Sequence, residues 1–153
     1  MKFSYPFSIT KESANEFLVS FKDIPEALTS GESIEEAITM AKDSLIAALG
    51  GYIEDRLNIP EPSAAAGSEQ IAILNPLESA KIGLYRVMLD QKISNVALAS
   101  KLNIDEKAVR RMLDLDHSSK INGINDALKS DAFDTSYTLI TTMEPIQKIA
   151  ERA

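Results

Sequence analysis

The chain opens on a two-residue rhythm. In "FSYPFSI", Phe3, Tyr5, Phe7 and Ile9 fall on alternate positions, the period of a strand with one buried face. Pro6 has no amide hydrogen to give to a ladder, which predicts an exposed edge for this strand. Beyond the polar stretch "TKESANE", Phe17, Val19 and Phe21 alternate again, so the two runs predict an antiparallel hairpin. Pro25 and Gly31 bracket a short third strand around Leu28. The period then lengthens. Ser33 with Glu36 three residues on predicts a capping box, and Ile34, Ala37, Ile38, Ala41, Leu45, Ala48 and Leu49 form a helical stripe. Gly50-Gly51 leave the end of this helix open, because Tyr52 and Ile53 prolong the stripe. "IPEPSAAAGSE" has the composition of a connector, and "QIAIL" offers a fourth strand that returns to the sheet.

From "NPLESAKIGLYRVMLDQK" the period is helical throughout, with Leu77, Ala80, Leu84 and Met88 on one face. "NVALASKLNIDEKAVRRML" predicts two short helices joined by a tight turn. Ser94 or Asn95 caps the first, and Leu98, Ala99 and Leu102 face its core. Asn103 tolerates the positive φ that leaves a helix, Ile104 plugs the turn, and Asp105 caps the second helix, whose Val109 and Met112 point inward. "SSKINGINDALKS" predicts a fourth helix. The stretch "DTSYTLITTMEPIQKIAERA" mixes strand and helix signals. The fold class is therefore α+β, divided into residues 1–75, an all-α part over 76–130, and a tail over 131–153.

Charge sharpens this division. The net charge is −7, yet residues 1–62 carry 5 basic against 11 acidic side chains, and residues 78–130 carry 9 against 7. Acidity is concentrated in the first part, an asymmetry that predicts two parts with different partners. With no cysteine there are neither disulfides nor thiolate metal ligands, which suits a reducing compartment. No run has the apolar length of a membrane span, and the start lacks the apolar core of a secretory signal, so a cytoplasmic protein is expected.

The two short helices carry the candidate chemistry. A second helix of this size fits the major groove of DNA, with Lys107, Arg110 and Arg111 on its outer side. Arg110 is suited to a bidentate contact with guanine, worth about 1–3 kcal/mol of discrimination, and Arg111 to a phosphate. Glu106 either accepts from a cytosine amine or favours the helix N-terminus. Ser94 and Asn95 stand at the start of the first helix, and all six residues are assigned to a DNA-binding surface. A balance of only +2 over residues 78–130 implies modest affinity per copy, so a homodimer or higher oligomer on paired half-sites is expected. Tyr137, Leu139, Ile140, Met143 and Ile146 of the tail are candidates for that contact.

Other signals are discounted. His117 is the only histidine and reads as a loop hydrogen-bonding residue. Glu35, Glu36 and Asp43 lie off the apolar stripe and read as a solvated face. Asp23 and Glu26 are paired carboxylates in principle, but nothing nearby supplies a metal site or base. Neither a Gly-rich phosphate loop nor a nucleophile elbow is present. No enzyme, cofactor or metal is expected.

The first part resembles the HicB antitoxins of bacterial HicAB toxin–antitoxin systems. The resemblance rests on the aromatic first strand, Phe21, Asp23-Ile24-Pro25, Thr29-Ser30-Gly31 and Ser33-Ile34-Glu35-Glu36-Ala37. Glu26-Ala27 stands where members commonly have Gly-Cys or similar, a departure in the local turn. The second part is similar to the Cro/repressor-like helix-turn-helix that many of these antitoxins append. The resemblance covers about residues 3–130. It implies a partial RNase H-like β-β-β-α-β domain without catalytic carboxylates, one that binds HicA, a small basic mRNA interferase. It also implies a second domain that represses the operon. Phe17, Val19, Phe21, Asp23 and Glu26 are the toxin-binding candidates. The alternative is a stand-alone transcriptional repressor whose N-terminal domain senses a small ligand.

Overall fold

The computed structural model describes residues 3–130 together with Ala132 and Phe133. Five helices and four strands make it α+β, and the chain separates into two compact units, Lys2–Leu74 and one that begins at Asn75. The tail residues proposed for a dimer contact lie outside the described residues.

The first unit is one antiparallel sheet and one helix. Strands β1 (Ser4–Ser13), β2 (Glu16–Phe21) and β3 (Leu28–Gly31) precede helix α1 (Ile34–Glu54), and β4 (Gln70–Ile73) follows it. The sheet order is β3-β2-β1-β4. Thus β1 is an inner strand, contrary to the edge that Pro6 predicts. The register removes the conflict. The Leu74 amide donates to the Phe3 carbonyl, and hydrogen-bonded pairs alternate along an antiparallel ladder. The ring nitrogen of Pro6, paired with Ile71, therefore faces the β2 side, where pairing begins only at Phe7↔Phe21. No ladder bond is lost.

Alternation sends Phe3, Tyr5, Phe7, Val19, Phe21 and Ala72 to one buried face. Phe7 and Phe21 are cross-strand partners with ring centroids 5.3 Å apart. Helix α1 lies over β3, β2 and β1 and buries Ala37, Ala41, Leu45, Ile46 and Leu49. Ile34 and Ile38, expected in that stripe, are exposed, so the buried face is narrower than the periodicity predicts. Small residues at positions 37 and 41 allow a close approach to β3. A Cβ on Gly31 would lie 2.5 Å from the Ala37 nitrogen. Capping also departs from expectation. The Ser33 hydroxyl accepts from the Glu36 amide, but the Glu36 carboxylate returns to the amide of Glu32 rather than of Ser33. The helix runs straight through Gly50-Gly51 and ends with Arg56 in the left-handed region at φ 58°.

The segment after α1 is pinned rather than loose. The Tyr5 hydroxyl donates to the Pro60 carbonyl, and Ile59 is buried. Lys22 Nζ donates to the Ala64 carbonyl and the Glu69 carboxylate, each at 2.9 Å.

The second unit is helical: α2 (Pro76–Asp90), α3 (Asn95–Leu102), α4 (Glu106–Leu113) and α5 (Ile121–Lys129). Asn75 and Glu78 form a complete capping box at the start of α2, with Pro76 in the first turn. Helix α2 is buried on nearly every side, not only along the face containing Ala80, Leu84 and Met88, while Leu77 of that face is half-buried. It packs on α4 and α5, and α3 packs on α4.

Candidate functional site

Helices α3 and α4 are short because each is bounded by strong local signals. The Ser94 hydroxyl accepts from the Ala97 amide to open α3, so Ser94, not Asn95, is the cap. Asn103 takes φ 54° and ψ 46°. Its amide donates to Ser100 and that of Ile104 to Ala99, the pair of bonds of a Schellman ending. Asp105 then accepts from the Ala108 amide at 2.6 Å and opens α4. Two expectations fail here. Ile104 is 36% exposed and does not plug the turn, and Leu113 is buried beside Val109 while Met112 is only half-buried.

This geometry leaves Lys107, Arg110 and Arg111 exposed on the outer side of α4. Glu106 has a role beyond the two expected of it: its Oε1 accepts from Arg110 Nε at 3.0 Å and lies 2.9 Å from Nη2, an i,i+4 pair. The pair is largely solvated, so it orients the guanidinium at little energetic cost to opening. The Ser94 hydroxyl is spent on the cap. The side-chain oxygen of Asn95 is buried without a protein partner.

A residue outside the candidate set supports α4 from below. Lys81, on α2, is fully buried. Its ammonium donates to the carbonyls of Asp114 (2.5 Å), His117 (2.6 Å) and Arg111 (3.1 Å) and to the hydroxyl of Ser119 (3.1 Å). Burial lowers its pKa from the usual lysine range, with the Asp114 and Asp116 carboxylates opposing that shift. The signal existed in the sequence: Leu77, Lys81, Leu84 and Met88 recur at helical spacing, so this lysine interrupts an apolar stripe. His117 is a loop residue as expected, its Nδ1 3.1 Å from Ser119 Oγ.

In the first unit the toxin-binding candidates divide. Val19 and Phe21 are buried under α1, so a partner cannot reach their side chains, and Phe17 is half-buried. Asp23 and Glu26 do not pair with one another. Asp23 accepts from both the amide and the hydroxyl of Ser63 at 2.9 Å, and Glu26 accepts from the Tyr52 hydroxyl at 2.9 Å. Burial, reinforced by Glu26, raises the Tyr52 pKa above 10.0. Elsewhere in this unit Glu12, Glu16, Glu32, Glu35, Glu36 and Asp43 are exposed. Among the described residues no group of three His, Cys, Asp or Glu is arranged to hold a metal, and no helix is long and apolar enough to cross a membrane.

Comparison with known proteins agrees with the first unit's pattern. Residues 4–83 match the family model described as HicB_like antitoxin of bacterial toxin-antitoxin system. Antitoxin HicB 1 of Photorhabdus laumondii is 38% identical over 121 residues, which span 78% of this chain and 76% of that protein. Antitoxin HicB 2 of the same organism is 41% identical over 112 residues, spanning 73% and 79% of the two chains. Antitoxin HicB of Escherichia coli K12 is 33% identical over 126 residues, spanning 82% and 91%.

Proposed function

The chain belongs to the HicB-like antitoxin family of bacterial toxin–antitoxin systems, and on that premise we propose that it divides an antitoxin's work between its two units. The first neutralises a HicA-type mRNA interferase by covering its catalytic side chain and RNA path. The second represses the operon by laying α4 in the major groove. The chain performs no catalysis of its own. The observation that carries this reading is the segregation of exposed charge: exposed acidic side chains outnumber basic ones in the sheet-and-helix unit, while Lys107, Arg110 and Arg111 share the outer side of one short helix.

A ribonuclease that grips RNA must present a cationic surface, and an acidic unit is its electrostatic complement. Such complementarity speeds encounter, while short-range contacts set the lifetime of the complex. Because Val19 and Phe21 are core residues, the toxin contact falls to the more accessible candidates, half-buried Phe17 and exposed Glu26 among them. On DNA, Arg110 reads a base edge once it leaves Glu106, and Lys107 and Arg111 hold phosphates. Two copies on half-sites one helical turn (about 34 Å) apart supply the affinity that one weakly basic unit lacks.

The test begins with the adjacent reading frame, which should encode a small basic protein that arrests growth when expressed alone. Co-expression of the present chain should restore growth and yield a complex that co-purifies. A neighbour that is harmless alone would sink the neutralisation reading and favour a stand-alone repressor.

A further inference from the structure

We infer that Lys81 is a positioning residue for the DNA-facing helix: its ammonium gathers the carbonyls of Arg111, Asp114 and His117 and the hydroxyl of Ser119, and so fixes α4 against α2. The inference rests on the proposal that α4 contacts DNA, and it concerns what holds that contact in place.

Helix α4 has only eight residues, too few to be stable without tertiary support. Its N-terminal end is secured locally by Asp105. Its C-terminal end has no equivalent. The Arg110 carbonyl accepts from the Asp114 amide, but the Arg111 carbonyl receives no helical partner and instead accepts from Lys81 Nζ and the Ser119 hydroxyl, each at 3.1 Å. The ammonium thus meets the negative end of the α4 dipole and wraps the following turn, Asp114–His117, around itself. Three N–H donors of a fully buried side chain serve four acceptors, all oxygen, supplied by residues that themselves reach the surface. Among the described residues no carboxylate touches Nζ. The geometry resembles a cation held in a cage of carbonyls, with the cation tethered to the middle of α2. Arg110 and Arg111, the residues proposed to meet DNA, lie in the last turn of α4, directly above this knot. Recognition residues must stay within about 0.5 Å of their productive positions, so slack at this end weakens DNA binding as well as folding.

The test uses the full-length chain carrying Lys81→Met, which keeps an unbranched stem and removes the donors. Operator binding is measured on the DNA upstream of the chain's own reading frame across a salt series, beside amide hydrogen exchange. The expected result is a fall in operator affinity of about tenfold or more, with a salt dependence shallower by about one unit for each phosphate that is no longer neutralised. Exchange should quicken at Asp114, Asp116 and His117 while Leu98 and Ile104 of the α3 region keep their protection. Wild-type affinity and slope in the variant would overturn the inference. So would affinity that falls only with the folded fraction at unchanged slope, because that marks a purely structural lysine. If Lys81→Met does not fold, Ser119→Ala carries the test, with a severalfold fall in affinity at a shallower slope expected and wild-type binding overturning the inference. Should the wild-type chain itself show no salt-dependent binding to this DNA, the DNA-facing role of α4 falls first and takes this one with it. Binding by the wild type together with an indifferent Lys81→Met removes the positioning role alone.

Discussion

Replacing Gly31 by alanine places a methyl group where β3 meets the first turn of α1. Built on the existing backbone, the new Cβ lies 2.5 Å from the Ala37 nitrogen and 2.9 Å from the Ala37 Cα and the Glu36 carbonyl carbon. All three are backbone atoms and cannot rotate aside, so the helix must shift from the sheet. Overpacking typically costs about 1–3 kcal/mol, and a backbone obstacle points to the upper part of that range, about 2–3 kcal/mol. Because the chain comprises two compact units, a single global transition is not assured, and amide exchange of the α1 core in the full-length chain is the suitable assay. A destabilisation of about 2–3 kcal/mol speeds that exchange by about 30- to 150-fold. Gly50→Ala is the matched control: nothing lies within 4 Å of its Cβ, the site is helical, and the change should stabilise by about 0.5–1 kcal/mol. Exchange in Gly31→Ala within about twofold of wild type would refute the claim that this glycine sets the spacing between α1 and β3.

The remaining predictions concern a cap and a loop clip. Asp105→Ala removes the acceptor for the Ala108 amide and should cost about 1 kcal/mol, seen as faster exchange confined to α4 and weaker operator binding; an unchanged α4 would show that the cap is dispensable. Glu69 has its pKa lowered by its bond to Lys22 and then by the Ala66 amide. Its folded value lies below the ordinary 4.5, so the contribution is complete above 4.5 and disappears as pH falls through the folded value. In Glu69→Gln the stability of the first unit should fall less steeply below pH 4.5, and an acid limb identical to wild type would contradict the clip.

Much of this architecture is legible from local signals. The alternation of Phe3, Tyr5 and Phe7, the left-handed Asn103 and the Asp105 cap depend on neighbours a few residues away, and short-range chemistry fixes them. What escapes depends on distant segments. Pro6 suggests an edge only until β4, far along the chain, pairs with β1. Ile34 and Ile38 fit a helical stripe, but both are exposed, and it is the backbone at Ala37 that closes on Gly31 of β3. The segment "IPEPSAAAGSE" has a linker's composition, yet Tyr5, Lys22 and Asp23 strap it down. In the candidate DNA surface, Arg110 and Lys107 stand outward as the period predicts, and the Glu106–Arg110 pair follows the i,i+4 rule. Lys81 shows in the sequence only as an interruption of the stripe of Leu77, Leu84 and Met88; its role is not legible there, because the acceptors that converge on it come from a loop distant in sequence.

The central claim is that neutralisation and DNA recognition reside in different units of one chain. It is tested most directly by growth of cells that express the neighbouring toxin together with the full-length chain carrying Arg110→Ala. The account predicts growth equal to that with the wild-type chain, while the same variant no longer shifts the operator. Failure of Arg110→Ala to protect at equal protein level would mean that α4 takes part in silencing the toxin, and the division of labour would be wrong.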